Sequence, residues 1–385
     1  MSGEKFLGQV QWLRGMRVLD FSSVLAGPYA TRLMADFGAD VIKVESPAGD
    51  LTRSSKPLRN GVSAYFGYLN CGKRSIVLDL KSSSGRSAAE KLVAVSDVVV
   101  ENWRPGVAAK LGLDYPAASK IKSDVIYCSI SGFGQSGPAS RLPAYAPIIQ
   151  ALSGFELANA AYQNGASTPA VCGIFVADVM AGLAAFASVQ MALARRRATG
   201  EGSWIDVSLL DAMFNLLVFE TQDVQFPGSR RPISPPLPAL DGYVIVMPLS
   251  QENFERLAAV IGRSELIDDD RFRRMAERQE NWSTLMGIVA EWTRTRSAAD
   301  CDRQFAAAGV PCGRYRTVAE AMADEHSVAR RTFREVRDAE GAYRVPVGPF
   351  RFAAEGEADA HMPEVPELGQ HTEEVLKEII DAPHQ

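Results

Sequence analysis

Short apolar runs alternate with helical patterns through the first half of the chain, and this alternation limits the fold more than any other feature. MRVLDF (Met16–Phe21), ADVIKVE (Ala39–Glu45), SIVLDL (Ser75–Leu80), SDVVVENW (Ser96–Trp103) and SDVIYCSISG (Ser123–Gly132) are short and rich in Val and Ile, as buried strands are. PYATRLMADFG, with Pro28 in its first turn, and Gly85–Val95 have helical patterns between them. Strands and helices at this spacing imply right-handed βαβ units and a parallel sheet covered by helices.

The alternation stops at Phe226–Gly242, where five prolines are expected to preclude regular structure. GYVIVMPL then reads as a strand, QENFERLAAVIG as an amphipathic helix, and residues 268–297 as further helix with acids at its start and bases near its end. GAYRVPVGPFRFA suggests a short strand pair and HTEEVLKEII a terminal helix. The chain of 385 residues therefore divides into a large α/β domain over 1–226, a smaller α+β domain over 227–325, and a C-terminal return to the large domain over 326–385.

Several classes of chemistry are excluded. A net charge of −5 with scattered basic residues argues against nucleic acid as a partner. The longest uncharged apolar run, Val179–Ala194, spans about 24 Å as a helix, short of a bilayer core. MSGEKFLGQVQW has no apolar signal region, so the expectation is a soluble cytoplasmic protein with no membrane partner. The five cysteines are dispersed and form no CxxC pair, which suggests neither a disulfide framework nor a metal site. The four histidines all lie from His326 onward, so no Ser–His or Cys–His nucleophile pair exists in the first 325 residues. The first loop, SSVLAGPYA, has no GxGxxG, and no GxxxxGK[ST] occurs, so neither an NAD nor an ATP site is encoded.

Carboxylates, hydroxyls, cations and backbone remain. Asp178 is the one acid before the apolar run of a long helix that ends in Arg195–Arg197 and Gly200. Its ordinary role would be an N-cap, and a helix apolar all round belongs in a core. Three polar stretches flank predicted strands: LNCGKRS with Asn70, Lys73 and Arg74; ENWRPGVAAKLG with Asn102, Trp103, Arg104 and Lys110; and the glycine-rich SGFGQSGP. Singly they read as solvated charges and a core Trp. Together they suit a nucleotide with several phosphates, with cations for the phosphates and a ring to stack on the base.

These segments, with Leu13–Arg53, SIVLDLKS, VADVMAGLAAFASVQMALARRRATGEGSWIDVSLLDA, AAAGVPCGRYRTVAEAMAD and LGQHTEEVL, resemble the family III CoA-transferases in order from Leu13 to Leu376. The resemblance implies a Rossmann-like parallel-sheet domain in an interlocked homodimer. It further implies transfer of coenzyme A from an acyl-CoA donor to a carboxylic acid acceptor, with Asp178 as nucleophile through a mixed anhydride. Coenzyme A would be a substrate, and no permanently bound cofactor or metal is implied. Backbone N–H groups at the start of the Asp178 helix would stabilise the oxyanion. Carried over position by position, the CoA site comprises Leu25, Ala26, Asn70, Cys71, Gly72, Lys73, Asn102, Trp103, Arg104 and Lys110, with Tyr145 beside the reacting end.

Two positions and one loop depart from formyl-CoA transferase: Ser46 replaces an arginine, Leu25 replaces a glutamine, and the tetraglycine loop has no counterpart. These differences argue against formyl or oxalyl substrates. The α-methylacyl-CoA racemases share the fold but exchange a proton between Asp and His. Here the histidine position is Tyr145, a poor proton shuttle at neutral pH. An inert acyl-CoA-binding protein is the other alternative.

Overall fold

Six parallel strands form the centre of the larger of two units, which comprises Met1–Thr221 and Arg331–Gln385. The computed structural model describes residues 11–163, 166, 168–226, 228, 233–352 and 362–381. In chain order, β1 (Arg17–Asp20) is followed by α1 (Ala26–Asp36) and β2 (Asp40–Glu45). A small hairpin, β3 (Leu58–Arg59) and β4 (Val62–Ser63), leads into α2 (Ala64–Asn70) and β5 (Arg74–Val77). Then come α3 (Ser83–Ala94), β6 (Val98–Glu101), α4 (Val107–Leu111), α5 (Tyr115–Ile121) and β7 (Ile126–Ser131). The last part holds α6 (Ala146–Leu152), α7 (Phe155–Ala161), α8 (Val176–Thr199), β8 (Ser203–Ser208) and α9 (Leu209–Leu216).

The sheet order is β5-β2-β1-β6-β7-β8, and every pairing is parallel. Among these six strands that is the doubly wound order, which reverses direction between β1 and β6 and leaves a crevice at their carboxyl ends. Successive strand residues face opposite cores. Val18, Val98 and Val100 pack with Ala30, Ala181 and Ala185 on one face, whereas Leu19, Val99 and Tyr127 pack with Leu92, Val375 and Ile379 on the other. The sixth strand, SWIDVS, lacks an apolar run because it is an edge strand with Trp204 and Asp206 exposed. Its polarity hid it from the sequence analysis.

Helix α8 departs from expectation in two ways. Its N-cap is Phe175, so Asp178 is the third helical residue and makes no cap hydrogen bond. Its buried residues form one stripe, Ala177, Ala181, Gly182, Ala185, Val189 and Ala192, rather than a fully enclosed cylinder. At Gly182 a Cβ would lie 2.8 Å from the Ala26 carbonyl oxygen and 2.9 Å from Tyr29 Cδ1, so the missing side chain lets α8 and α1 approach. The opposite side is open, with Met191 68% exposed. By length and composition alone this 24-residue helix is long and apolar enough to cross a membrane. The stop is conventional, with Gly200 in the left-handed region at φ 74°.

The second unit, Gln222–Arg330, holds an antiparallel sheet ordered β11-β10-β9: β9 (Leu237–Ala239), β10 (Gly242–Val246) and β11 (Cys312–Arg314). The expectation of no regular structure in the proline-rich segment is corrected here. Pro238 lies in β9, an edge strand, where a missing N–H is tolerated. The expected helix over 268–297 is two helices, Met275–Glu280 and Trp282–Thr293, separated at Asn281. The expected domain limits fall after 226 and after 325, and the units divide after Thr221 and after Arg330. The returning segment forms a hairpin, β12 (Phe333–Asp338) and β13 (Gly341–Pro346), and a terminal helix, Thr372–Asp381. The helix docks beside β5, where the His371 N–H donates to Ser75 O at 2.9 Å and Arg74 pairs with Glu378 at 2.6 Å.

Candidate active site

A cavity of about 360 Å³ opens at the carboxyl ends of β1, β2, β5 and β6, where the strand order reverses. Phe21, Leu80, Trp103 and Leu111 provide apolar wall, and Lys81 and Ser46 contribute polar groups. Trp103 packs 5.3 Å from Phe21, centroid to centroid, and its backbone N–H donates to Glu101 Oε2 at 2.8 Å. Burial pushes the Glu101 carboxyl up to about 7. Arg104 and Lys110, next to the lining residues Trp103 and Leu111, are exposed, and their side chains make no hydrogen bond or ion pair among the described residues. Together these groups offer a flat apolar slot with unpaired cations nearby.

The loop after β1 runs from this cavity to the apolar cluster that holds Val179, the residue after Asp178. Ser22 donates its N–H to Asp20 Oδ1 at 2.9 Å, while its carbonyl accepts from Lys43 Nζ at 3.0 Å. Ser23 is held on both sides by Asn102, whose Oδ1 accepts its N–H at 2.9 Å and whose Nδ2 donates to its carbonyl at 2.7 Å. The Val24 N–H points to the Asp50 carboxylate at 3.3 Å. Val24 has φ 68°, a conformation that costs a β-branched residue about 1–2 kcal/mol. Leu25 then caps α1, and Val24, Leu25, Tyr65 and Val179 share one apolar cluster.

Asp178 stands one residue before Val179. Burial pushes its carboxyl up to about 6, and it has no hydrogen bond or ion pair among the described residues. A carboxylate without a compensating partner is costly to the fold and available to a ligand. Tyr65 was not singled out by the sequence. Its hydroxyl is buried without a hydrogen-bond partner, and burial, then the nearby charge of Asp178, pushes it up to about 12. It therefore stays a donor at any physiological pH. The first amides of α8 are partly taken: Val176 N–H donates to Ile174 O at 2.8 Å and Ala177 N–H to Gln150 Oε1 at 3.4 Å. Those two amides are bonded within the fold, whereas the Tyr65 hydroxyl is not.

The other expected site residues separate into two groups. Leu25, Asn102 and Trp103 belong to the cavity and its loop, and Ala26 begins α1 beside Gly182. Asn70, Cys71 and Lys73 lie outside the lining of this cavity. All three are buried, and Lys73 Nζ is enclosed by Asp20 (2.9 Å), Thr31 Oγ1 (2.8 Å), Asn70 Oδ1 (2.9 Å) and Pro28 O (3.0 Å). That ammonium has no donor left for a phosphate, and burial, opposed by Asp20, pulls it down to about 8. Gly72 is exposed but lines a separate cavity with Asp36, Gly38 and His371. Tyr145 is 63% exposed at the start of α6, and no hydrogen bond joins it to Asp178. The residues that line the crevice instead are Leu78–Lys81, which follow β5 rather than precede it.

Comparison with known proteins shows the family. The model of CoA-transferase family III matches residues 13–372. The chain is 33% identical to succinate–glutarate CoA-transferase of Agrobacterium fabrum, over 95% of both chains. It is 34% identical to acetyl-CoA:oxalate CoA-transferase of Acetobacter aceti, again over 95% of both. Its fold is similar to the crystal structure of a CAIB/BAIF family protein from Brucella suis, with a TM-score of 0.82, 32% identity, and coverage of 96% of this chain and 100% of that one.

Proposed function

This chain belongs to CoA-transferase family III, and from that premise we propose that Asp178 is the nucleophile by which it moves coenzyme A from an acyl-CoA thioester to a free carboxylic acid. The observation that carries the proposal is the isolation of Asp178, a partly buried carboxyl without a partner beside an unpartnered phenol. Attack of its oxygen on the thioester carbonyl breaks the C–S bond, releases CoA thiolate and leaves an acyl–aspartyl anhydride. Thiolate attack on the aspartyl carbonyl expels the donor acid and leaves an aspartyl thioester. The incoming carboxylate displaces the thiolate to form a second anhydride. The thiolate then attacks the new acyl carbon and regenerates Asp178. Tyr65 donates to the oxygen that gains charge in each addition.

The CoA nucleotide occupies the crevice, with Trp103 against the base and Lys81, Arg104 and Lys110 near the phosphates. Named relatives act on glutarate, succinate and oxalate, which favours a dicarboxylic acceptor. We further propose a cytoplasmic homodimer whose two chains interlock. The function is tested by incubating a panel of acids with succinyl-CoA or acetyl-CoA and detecting new thioesters by mass. Asp178→Asn is expected to abolish exchange and to bind CoA as wild type does. Exchange at the wild-type rate by that variant would overturn the assignment.

A further inference from the structure

The loop Ser22–Leu25 touches both halves of the site, and its shape is imposed from outside. Ser22 and Ser23 line the nucleotide cavity, while Val24 and Leu25 pack in the cluster that holds Val179 and Tyr65. A thioester bound with its nucleotide in the crevice reaches Asp178 along this loop. Val24 at φ 68° is a conformation that an isolated chain would leave. Four side chains prevent this: Asp20 and Lys43 at Ser22, Asn102 at Ser23, and Asp50 at Val24. Asp50 is itself fixed by Lys43 at 2.9 Å and by Thr52 N–H at 2.9 Å.

We propose that Asn102 and Asp50 are positioning residues, which clamp a strained Val24 so that the thioester carbonyl is presented to Asp178. The proposal rests on Asp178 being the nucleophile. Asn102 was expected to bind CoA directly, yet its Oδ1 and Nδ2 both bond the Ser23 backbone. Clamping and ligand contact predict opposite kinetics. A contact residue sets affinity, whereas a positioning residue sets the fraction of bound substrate in near-attack geometry and hence kcat.

The experiment compares Asn102→Ala and Val24→Gly with wild type, using the full-length protein, CoA titration by calorimetry, and steady-state exchange with succinyl-CoA. Glycine accepts φ 68° without strain but also leaves it freely, so Val24→Gly loosens the loop without touching the clamp. Both variants are expected to lower kcat about 10- to 100-fold while the Kd for CoA stays within about threefold. A tenfold rise in Kd with unchanged kcat in Asn102→Ala would make that residue a ligand contact and overturn the proposal. Wild-type kcat in either variant would overturn it also. If Asn102→Ala neither melts cooperatively nor binds CoA, Val24→Gly decides alone by the same criterion. Asp178→Asn is run in parallel. Its activity, not that of the clamp variants, reports on the nucleophile, so the two ideas fail separately.

Discussion

Asp178 carries a pH signature of its own. Its carboxyl sits near 6 in the folded chain, raised by burial, against about 4 when unfolded. Between those values the folded state binds the proton more tightly, so stability falls as pH rises from about 4 to about 6. A difference of two units corresponds to about 3 kcal/mol. Asp178→Asn removes the penalty. In urea unfolding it should match wild type below pH 4 and exceed it by up to about 3 kcal/mol above pH 6. Activity runs the other way, because the nucleophile must be ionised: kcat/KM should fall as pH drops through about 6. An Asp178→Asn variant less stable than wild type at neutral pH would mean that the carboxylate is structural. Tyr65 has the same signature of function set against stability. Its buried hydroxyl has no partner, so Tyr65→Phe should not lower the unfolding midpoint. It should cost roughly 100- to 1,000-fold in kcat, the range for one oxyanion donor. A drop in stability with unchanged kcat would return Tyr65 to the core.

At the scale of elements, the alternating strands and helices were legible because both faces of a parallel sheet are buried and each central strand is a nearly pure apolar run. The edge strand β8 was not, since exposed Trp204 and Asp206 break the run. The family resemblance pointed to Asp178, but its place at the third helical position was not legible, because an Asp before an apolar run reads first as a cap. The CoA residues that the resemblance implies and the crevice lining differ at β5 for a physical reason. NCGK enters β5, and ligands collect where strands of a parallel sheet end. LDLK leaves β5 and lines the crevice, and the same rule, applied to the strand that SIVLDL already marked, points to it. The two lysines at the ends of this one strand therefore make a paired test. Lys81→Ala should weaken CoA binding by about 1–3 kcal/mol in calorimetry and leave the unfolding midpoint unchanged. Lys73→Ala strands Asp20, which is fully buried. It should destabilise the fold by about 3–5 kcal/mol, whatever its effect on CoA. The reverse pattern would restore Lys73 to the nucleotide site.

At the scale of the whole molecule, the open side of α8 needs an explanation. Large apolar side chains are exposed on α6 (Ile148, Leu152), α7 (Leu157), the approach to α8 (Ile174), α8 itself (Met191) and α9 (Phe214). A soluble monomer seldom exposes so much apolar surface around one helix, whereas an obligate partner interface is built of such residues. In the proposed dimer a second copy covers this surface, and the proline-rich segment with the returning C-terminus supplies the excursion needed for interlocking. Burial alone predicts that sedimentation at nanomolar concentration gives a dimer, and that Met191→Glu, which places a charge on the open side, weakens it. Interlocking predicts more. Two threaded chains cannot part without local unfolding, so their exchange is set by an unfolding rate rather than by interface affinity. Tagged and untagged dimers mixed under native conditions should form no mixed dimer over days, and should form it readily after denaturation and refolding. A native monomer would remove the partner altogether. Rapid subunit exchange between native dimers would leave the covered face in place and show that the chains are not threaded.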